Sequence, residues 1–369
     1  MSSADAVTRR TPLHDVHEKL GAKFTDFAGW QMPLRYEGDL AEHNAVRGSA
    51  GLFDLTHMGE IVLSGPQAGA ALDYALVGHA SAIAVGKARY TMICAENGGI
   101  LDDLIVYRTG EHEYLVVANA GNATVVAEAL ITRGAGFDTE VRDESTGYAL
   151  LAVQGPDSAG ILAALTPTDL STVRYYASYP TTVAGVDVLL ARTGYTGEDG
   201  FELFVAPDSA QAVWTALHET GRVVPCGLSC RDSLRLEAGM PLYGNELTAE
   251  LTPYDAGLGR VVKLDKPGDF VGRAALEVAA KSTPSRSLVG LVAPGRRAPR
   301  HGYRVVDPES GAELGVVTSG APSPTLGHAV AMAYVDTERA EPGSALAVDI
   351  RGTMSPVEVV ALPFYRRSA

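Results

Sequence analysis

At residues 281–286 the chain changes character. Before them, strand-like and helix-like stretches alternate; after them no stretch carries helical periodicity. The break itself, Lys281-Ser282-Thr283-Pro284-Ser285-Arg286, reads as a linker. Beyond it, apolar runs at 288–291, 303–306, 314–318, 330–335, 345–350 and 354–360 are short and spaced by Gly and Pro. That is the pattern of a small antiparallel barrel or sandwich. The 369 residues, 46% of them hydrophobic, exceed what one ordinary domain holds, so two or three domains are expected.

The first 280 residues repeat one grammar. Residues 60–64 read as a strand and 66–76 as a helix. Strands follow at 90–94, 100–108 and 113–119, with Glu96-Asn97-Gly98-Gly99 as the turn between the first two. Residues 123–133 are helical, 137–142 and 148–154 are strand-like, and Gly155-Pro156-Asp157 opens a helix through 165. Strands at 186–193 and 200–205 and a helix at 208–220 then bring the grammar back. An α+β body of two similar halves is expected, although no sequence repeat stands out.

Charge and cysteine content remove several functions. A formal net charge of -14 repels phosphate backbones and anionic membrane surfaces, so neither nucleic acid nor membrane is an expected partner. The acids are dispersed, as ordinary solubility requires. Cys94, Cys226 and Cys230 are too few and odd in number for a disulfide framework, which points to a reducing compartment. Cys226 and Cys230, four apart, could begin a metal site, but no neighbouring His or Cys completes a tetrahedral set, so they are read as buried small hydrophobes. Residues 1–11 hold Arg9 and Arg10 with no apolar stretch behind them, and no run reaches membrane-spanning length. The cytoplasm is the expected location.

Three segments could carry chemistry. In the first, Gly98-Gly99-Ile100-Leu101-Asp102-Asp103-Leu104-Ile105-Val106-Tyr107, two adjacent acids interrupt an apolar strand. Successive strand residues face opposite sides, so one acid is expected to face water and the other a cavity. Tyr107, four residues after Asp103, would share its face and add an aromatic platform. On the residues alone, a strand-end cap or a salt bridge accounts for the acids as well as a site does. The second segment, Thr193-Gly194-Tyr195-Thr196-Gly197-Glu198-Asp199-Gly200, has the composition of a tight loop that a ligand approaches closely, or of an acidic turn. The third, Arg231-Asp232-Ser233-Leu234-Arg235-Leu236-Glu237-Ala238-Gly239, reads as a short helix ending near Gly239 with both arginines on one face. Paired guanidinium groups suit a carboxylate. For Arg235 an internal partner, such as Glu198 or Asp232, is expected. His57 stands alone and is read as structural, and phosphate-loop, nucleophile-elbow and zinc-protease motifs are absent.

Taken in order, these segments resemble one family. Phe27-Ala28-Gly29-Trp30-Gln31-Met32-Pro33-Leu34, Gly51-Leu52-Phe53-Asp54-Leu55-Thr56-His57-Met58, residues 98–107, Val153-Gln154-Gly155-Pro156, 193–200 and 231–239 look like the successive signatures of glycine-cleavage T-proteins. Thr318-Ser319-Gly320-Ala321-Pro322-Ser323-Pro324-Thr325-Leu326-Gly327 adds one in the tail, and the resemblance runs from 11 to 364.

The resemblance implies an α+β fold: two related α+β domains and a C-terminal antiparallel β-barrel, arranged as a ring around a central folate site. The implied division is a body over 1–280, built of 1–55 with 145–280 and of 56–144, and a barrel over 281–369. The implied activity takes an aminomethyl group from the lipoyl arm of H-protein. It releases ammonia and yields 5,10-methylenetetrahydrofolate and dihydrolipoyl protein. Asp103 matches the family's key acid, which orients the folate nitrogens. Met58, Tyr90, Tyr107, Asn119 and Tyr195 match positions lining the pterin and aminobenzoate pocket. Glu198 and Arg231 match a pair near the folate, and Arg366 a basic residue near the cofactor. Lipoylated H-protein and tetrahydrofolate are the implied partners, with no metal and no flavin.

Two cousins fit less well. Folate domains of dimethylglycine or sarcosine oxidases come with a flavin domain and a dinucleotide loop, and none is visible. Folate-binding iron-sulfur assembly factors carry a Lys-Gly-Cys-Tyr type motif, where this chain has Thr193-Gly194-Tyr195 without the thiol.

Overall fold

A computed structural model describes residues 8–295 and 297–367. Residues 1–7, part of the opening stretch 1–11 read above, lie outside them, as do residues 296, 368 and 369.

Two sheets carry the α+β part, and they share one connectivity. The first is built from Gly59–Ser64, helix Ala68–Ala75, strands Lys87–Cys94, Ile100–Gly110 and Glu113–Ala118, helix Ala123–Gly134 and strand Glu140–Asp143. The second repeats that order with Ala149–Gln154, helix Ser158–Leu162, strands Ser178–Val183, Val186–Ala191 and Gly200–Val205, helix Ala210–Glu219 and Val224–Pro225. In both sheets the second, third and fourth strands are neighbours in that order, followed by the first and then the last. The second sheet differs by one insertion: Gly51–Asp54 lies between its first and last strands. The two similar halves expected from the sequence are therefore present, related by topology more than by residue identity.

A shared turn opens each half. After the first strand the chain reads Gly65-Pro66 in one half and Gly155-Pro156 in the other, with φ of 135° and 139° at the glycines. An L side chain rarely reaches that region, so glycine is required before the helix can start. The second sheet packs its apolar face around Leu151, Val153, Leu190, Phe201, Leu203 and the helix residues Val213, Trp214 and Leu217, all buried.

The tail closes into a barrel of six antiparallel strands in the order Arg286–Ala293, Ala329–Asp336, Glu313–Pro322, Arg304–Val306, Ala345–Ile350 and Thr353–Val360. Each apolar run named from the sequence falls on one of these strands, with only Tyr303 of the run 303–306 lying outside. Alternate residues such as Leu291, Val317, Ala331, Ala333, Val348 and Val359 fill the interior. Closure leaves no strand edge exposed.

Elements before residue 55 lack a clear period in the sequence. They comprise helices His14–Lys19 and Asp39–Gly48 and the hairpin Lys23–Phe27 with Trp30–Arg35. The hairpin turn is Ala28-Gly29, with φ of 52° and 79°, the pair of positive values that a two-residue turn matching strand twist needs.

The chain divides into two compact units. One holds the chain up to Leu72, Ala80–Arg89 and Leu104–Asp232; the other holds Asp73–His79, Tyr90–Asp103 and the chain from Ser233 on. No helix among the described residues is long and apolar enough to cross a membrane.

Candidate functional site

In the second unit, Tyr90 and Asp103 come together across neighbouring strands. The Tyr90 hydroxyl donates to Asp103 Oδ2 at 2.9 Å, and both residues are half-buried. The two acids do face different surroundings, water reaching Asp103 in part while Asp102 is fully buried. The cause is a segment from far along the chain. The Ile100 N–H bonds the Leu251 carbonyl at 3.0 Å, and the Tyr243 hydroxyl donates to the Ile100 carbonyl at 3.1 Å. Burial first, then the carboxylates of Asp102, Glu250 and Asp103, push the Tyr243 hydroxyl pKa up, so it stays a donor in acidic surroundings.

The loop 193–200 in the first unit is tight for a reason the sequence did not reveal. Gln154 sends its amide nitrogen to the Thr193 carbonyl at 3.0 Å and accepts from Thr196 Oγ1 at 3.0 Å. A Cβ on Gly194 or Gly200 would collide with that Gln154 side chain. The close approach expected of a ligand is thus made by the protein's own glutamine. Glu198 is paired too, accepting from Arg47 Nη1 at 2.8 Å.

Arg231 is different. Its guanidinium stacks over the Tyr195 ring, 4.8 Å from the centroid, and has no ion-pair partner among the described residues. Burial lowers its pKa although Glu202 and Tyr195 act the other way. A half-buried guanidinium on an aromatic face, without a carboxylate, is chemically suited to an anionic group on an aromatic ligand. Glu198 and Arg231, matched above as a pair, therefore have separate partners.

Tyr107 requires a correction. It is fully buried, its hydroxyl is hydrogen-bonded to Thr193 Oγ1 at 3.0 Å, and it donates to Glu202 at 3.2 Å. Thr193 also donates to Glu202. Burial first and Glu202 second push the Tyr107 hydroxyl well up. Tyr107 therefore braces the 193–200 loop from behind, with no exposed platform. Alternation along a strand predicts which face a side chain takes but not whether that face is covered.

Met58 and Asn119 are half-buried; their backbones close turns, Met58 N–H to the Leu55 carbonyl at 3.0 Å and Asn122 N–H to the Asn119 carbonyl at 2.9 Å. His57, beside Met58, is buried with Phe27 edge-on at 5.4 Å, and its Nδ1 has no partner. Burial first and Arg231 second lower its pKa to about 4, which keeps the ring neutral.

Two known domain families match the chain. The GCVT N-terminal domain matches residues 13–266, and the glycine cleavage T-protein C-terminal barrel domain matches 286–366. The chain belongs to the glycine cleavage T-protein family. It is 71% identical over 364 residues to an aminomethyltransferase of Saccharopolyspora erythraea, covering 98% of this chain and 99% of that one. To an aminomethyltransferase of Streptomyces coelicolor it is 64% identical over the full length of both. It is similar in structure to glycine cleavage system aminomethyltransferase T from Bartonella henselae, with a TM-score of 0.92, 40% identity and 97% and 98% of the two chains covered. As a T-protein family member the chain is an enzyme, a tetrahydrofolate-dependent aminomethyltransferase.

The remaining family signatures serve the second unit. Arg235 is fully buried and donates to Glu246 at 2.9 Å and to Ser319 Oγ at 2.7 Å, so it does take an internal carboxylate partner, Glu246. Glu237 accepts from Ser323 Oγ at 2.5 Å and Thr325 Oγ1 at 2.7 Å, while its carbonyl takes the Tyr365 N–H at 2.8 Å. The tail signature is thus a clamp on helix Leu228–Glu237. Arg366, one residue past that anchor, is exposed. Of the matched residues, Asp103, Tyr90 and Arg366 lie in the second unit; Met58, Tyr107, Asn119, Tyr195, Glu198 and Arg231 lie in the first.

All three cysteines are buried, as expected, and none is in a disulfide. Their surroundings hold one surprise: the donor atoms of Glu42, Cys226 and Cys230 all lie within 4.8 Å of one another. Glu42, 184 residues before Cys226, offered no signal by spacing.

Proposed function

We propose that the chain takes the aminomethyl carbon from the lipoyl arm of H-protein and delivers it to tetrahydrofolate, with Asp103 as the catalytic carboxylate. In the net change one carbon–sulfur and one carbon–nitrogen bond break, and two carbon–nitrogen bonds to the folate form. The two folate N–H protons end on the thiol and on ammonia, and nothing is oxidised or reduced.

The observation that carries this reading is the 2.9 Å hydrogen bond from Tyr90 to Asp103. A carboxylate held by a neutral donor keeps both its position and its charge. A fixed negative charge stabilises an iminium-like carbon in transfer, at little reorganisation cost. Tetrahydrofolate supplies the two nucleophilic nitrogens when bound. Tyr90, Met58, Asn119, Tyr195 and Glu198 are the residues assigned to folate binding. Tyr107 acts indirectly by bracing the loop, and Arg366 is the basic residue of the C-terminal tail assigned to the cofactor. The Arg231 guanidinium, stacked on Tyr195 and without an ion-pair partner among the described residues, supports a ligand that is aromatic and anionic at once.

The functional parts are a body over 1–280 and a barrel over 281–369. The body divides into 1–55 with 145–280 and 56–144. The chemistry calls for neither metal nor flavin, and the enzyme works in the cytoplasm with lipoylated H-protein as donor.

The test mixes the protein with aminomethylated H-protein and tetrahydrofolate. Ammonia and methylenetetrahydrofolate should appear in equal amounts, and tetrahydrofolate alone should raise the melting temperature in a concentration-dependent way. Folded protein that releases neither product, or that needs added flavin or metal for turnover, refutes the proposal.

A further inference from the structure

Three polar side chains from separate parts of the chain converge in the interior of the first unit. Glu42 lies on helix Asp39–Gly48, Cys226 just after strand Val224–Pro225, and Cys230 on the first turn of helix Leu228–Glu237. All three are buried, and their donor atoms lie within 4.8 Å of one another. The Cys226 thiol also donates to the Val224 carbonyl at 3.2 Å.

The geometry points to a binding site for one thiophilic divalent cation, zinc or its analogue cadmium, formed by Cys226, Cys230 and Glu42. Thiolate sulfur selects soft and borderline ions over magnesium and calcium. Two sulfurs and one carboxylate oxygen supply three tetrahedral positions and leave a fourth for water. The carboxylate is already oriented, as metal-binding carboxylates usually are by their surroundings. Glu42 Oε1 accepts from the N–H groups of Tyr36 at 2.6 Å and Gly38 at 3.3 Å, and Oε2 from Gly227 at 2.8 Å. An ionised carboxyl group has about four acceptor positions, so these three bonds leave one free for the ion. Cys226 is fixed as well, since its N–H bonds the Leu52 carbonyl at 2.9 Å. A cation here exchanges with the thiol protons and takes no part in the transfer of carbon.

The test begins with unaltered protein prepared in chelator and titrated with cadmium. Ultraviolet absorption from cadmium–thiolate bonds should rise and saturate at one ion per chain. Cys226→Ser with Cys230→Ser should abolish it. Cys94→Ser should not, because Cys94 belongs to a different core beside Met92 and Ile100. Glu42→Gln should weaken binding at least tenfold while keeping the absorption. Exchanging two buried side chains can unfold a protein, so zinc X-ray absorption on the unaltered chain provides a readout without substitution. It should report two sulfurs at about 2.3 Å with lighter ligands. No uptake by native protein, uptake that survives in a folded double variant, or a zinc shell without sulfur overturns the assignment.

Discussion

Exchanging Asp103 for asparagine separates charge from shape. The amide oxygen can still accept the 2.9 Å hydrogen bond from Tyr90, so the side chain keeps its place and loses only its charge. If that charge stabilises positive carbon in the transition state, its loss costs about 2.7–4 kcal/mol, as for removal of one electrostatic stabiliser elsewhere. That corresponds to roughly a hundred- to thousandfold in rate. Because Asp103 is half-buried, water screens it in part, and the lower end of the range is expected. Asp102→Asn should behave in the opposite way. Asp102 is fully buried, so its exchange replaces a packed acceptor by an amide whose N–H groups need partners, at a stability cost of about 1–3 kcal/mol. Its transfer rate per folded molecule should change little. Single-turnover ammonia release from aminomethylated H-protein gives the rate, a folate titration gives binding, and urea unfolding gives stability. Near-normal turnover in folded Asp103→Asn, or a larger transfer defect in folded Asp102→Asn, refutes the reasoning.

Other substitutions probe the surroundings. Arg231→Lys keeps the charge but loses the planar stack on Tyr195; folate affinity should fall about tenfold or more in a titration, with urea stability unchanged. Gly194→Ala drives a Cβ into the Gln154 side chain and should cost about 1–3 kcal/mol, read as an earlier urea midpoint. His57 has a folded pKa of about 4, below its ordinary value near 6.5, so the unfolded chain binds the extra proton first. Its contribution is intact above that ordinary value and is lost as pH falls towards 4, by up to about 3 kcal/mol; in His57→Gln the acid limb of stability should flatten in that window.

Patterning rules made the barrel and both similar halves legible. Apolar runs punctuated by Gly and Pro became the six barrel strands, because a barrel strand alternates inward and outward faces and ends where its turn begins. The region before residue 55 was illegible for the opposite reason. The hairpin Lys23–Phe27 with Trp30–Arg35 is mostly half-exposed, and helix Asp39–Gly48 buries Glu42 and His43 along with Val46. Neither has an apolar stripe, so its fold depends on contacts from elsewhere in the chain. The insertion of Gly51–Asp54 between two strands of the second half has the same origin: a four-residue strand carries too little pattern to name its neighbours.

The site was legible to the extent that its contacts are local. An acid in an apolar strand signals that something pairs with it, but the partner decides its role, and partners differ in distance along the chain. Asp103 meets Tyr90 from 13 residues away, across adjoining strands, a contact that two strand assignments nearly dictate. Glu202, in the equally apolar strand Gly200–Val205, meets Thr193 from 9 residues away but Tyr107 from 95, so its place behind the loop could not be read from its neighbours. Glu60 is the limiting case. It is buried in strand Gly59–Ser64 with neither carboxylate oxygen hydrogen-bonded, and burial first and Asp143 second raise its pKa well above the usual range. Both effects favour the neutral acid, since an unpaired charge in that position is costly. Three carboxyl groups in similar strand contexts thus have three surroundings: Asp103 accepts from a nearby tyrosine, Glu202 from a threonine and a distant tyrosine, and Glu60 from no donor. What separates them is the donor, near, far or none, that the fold brings to each.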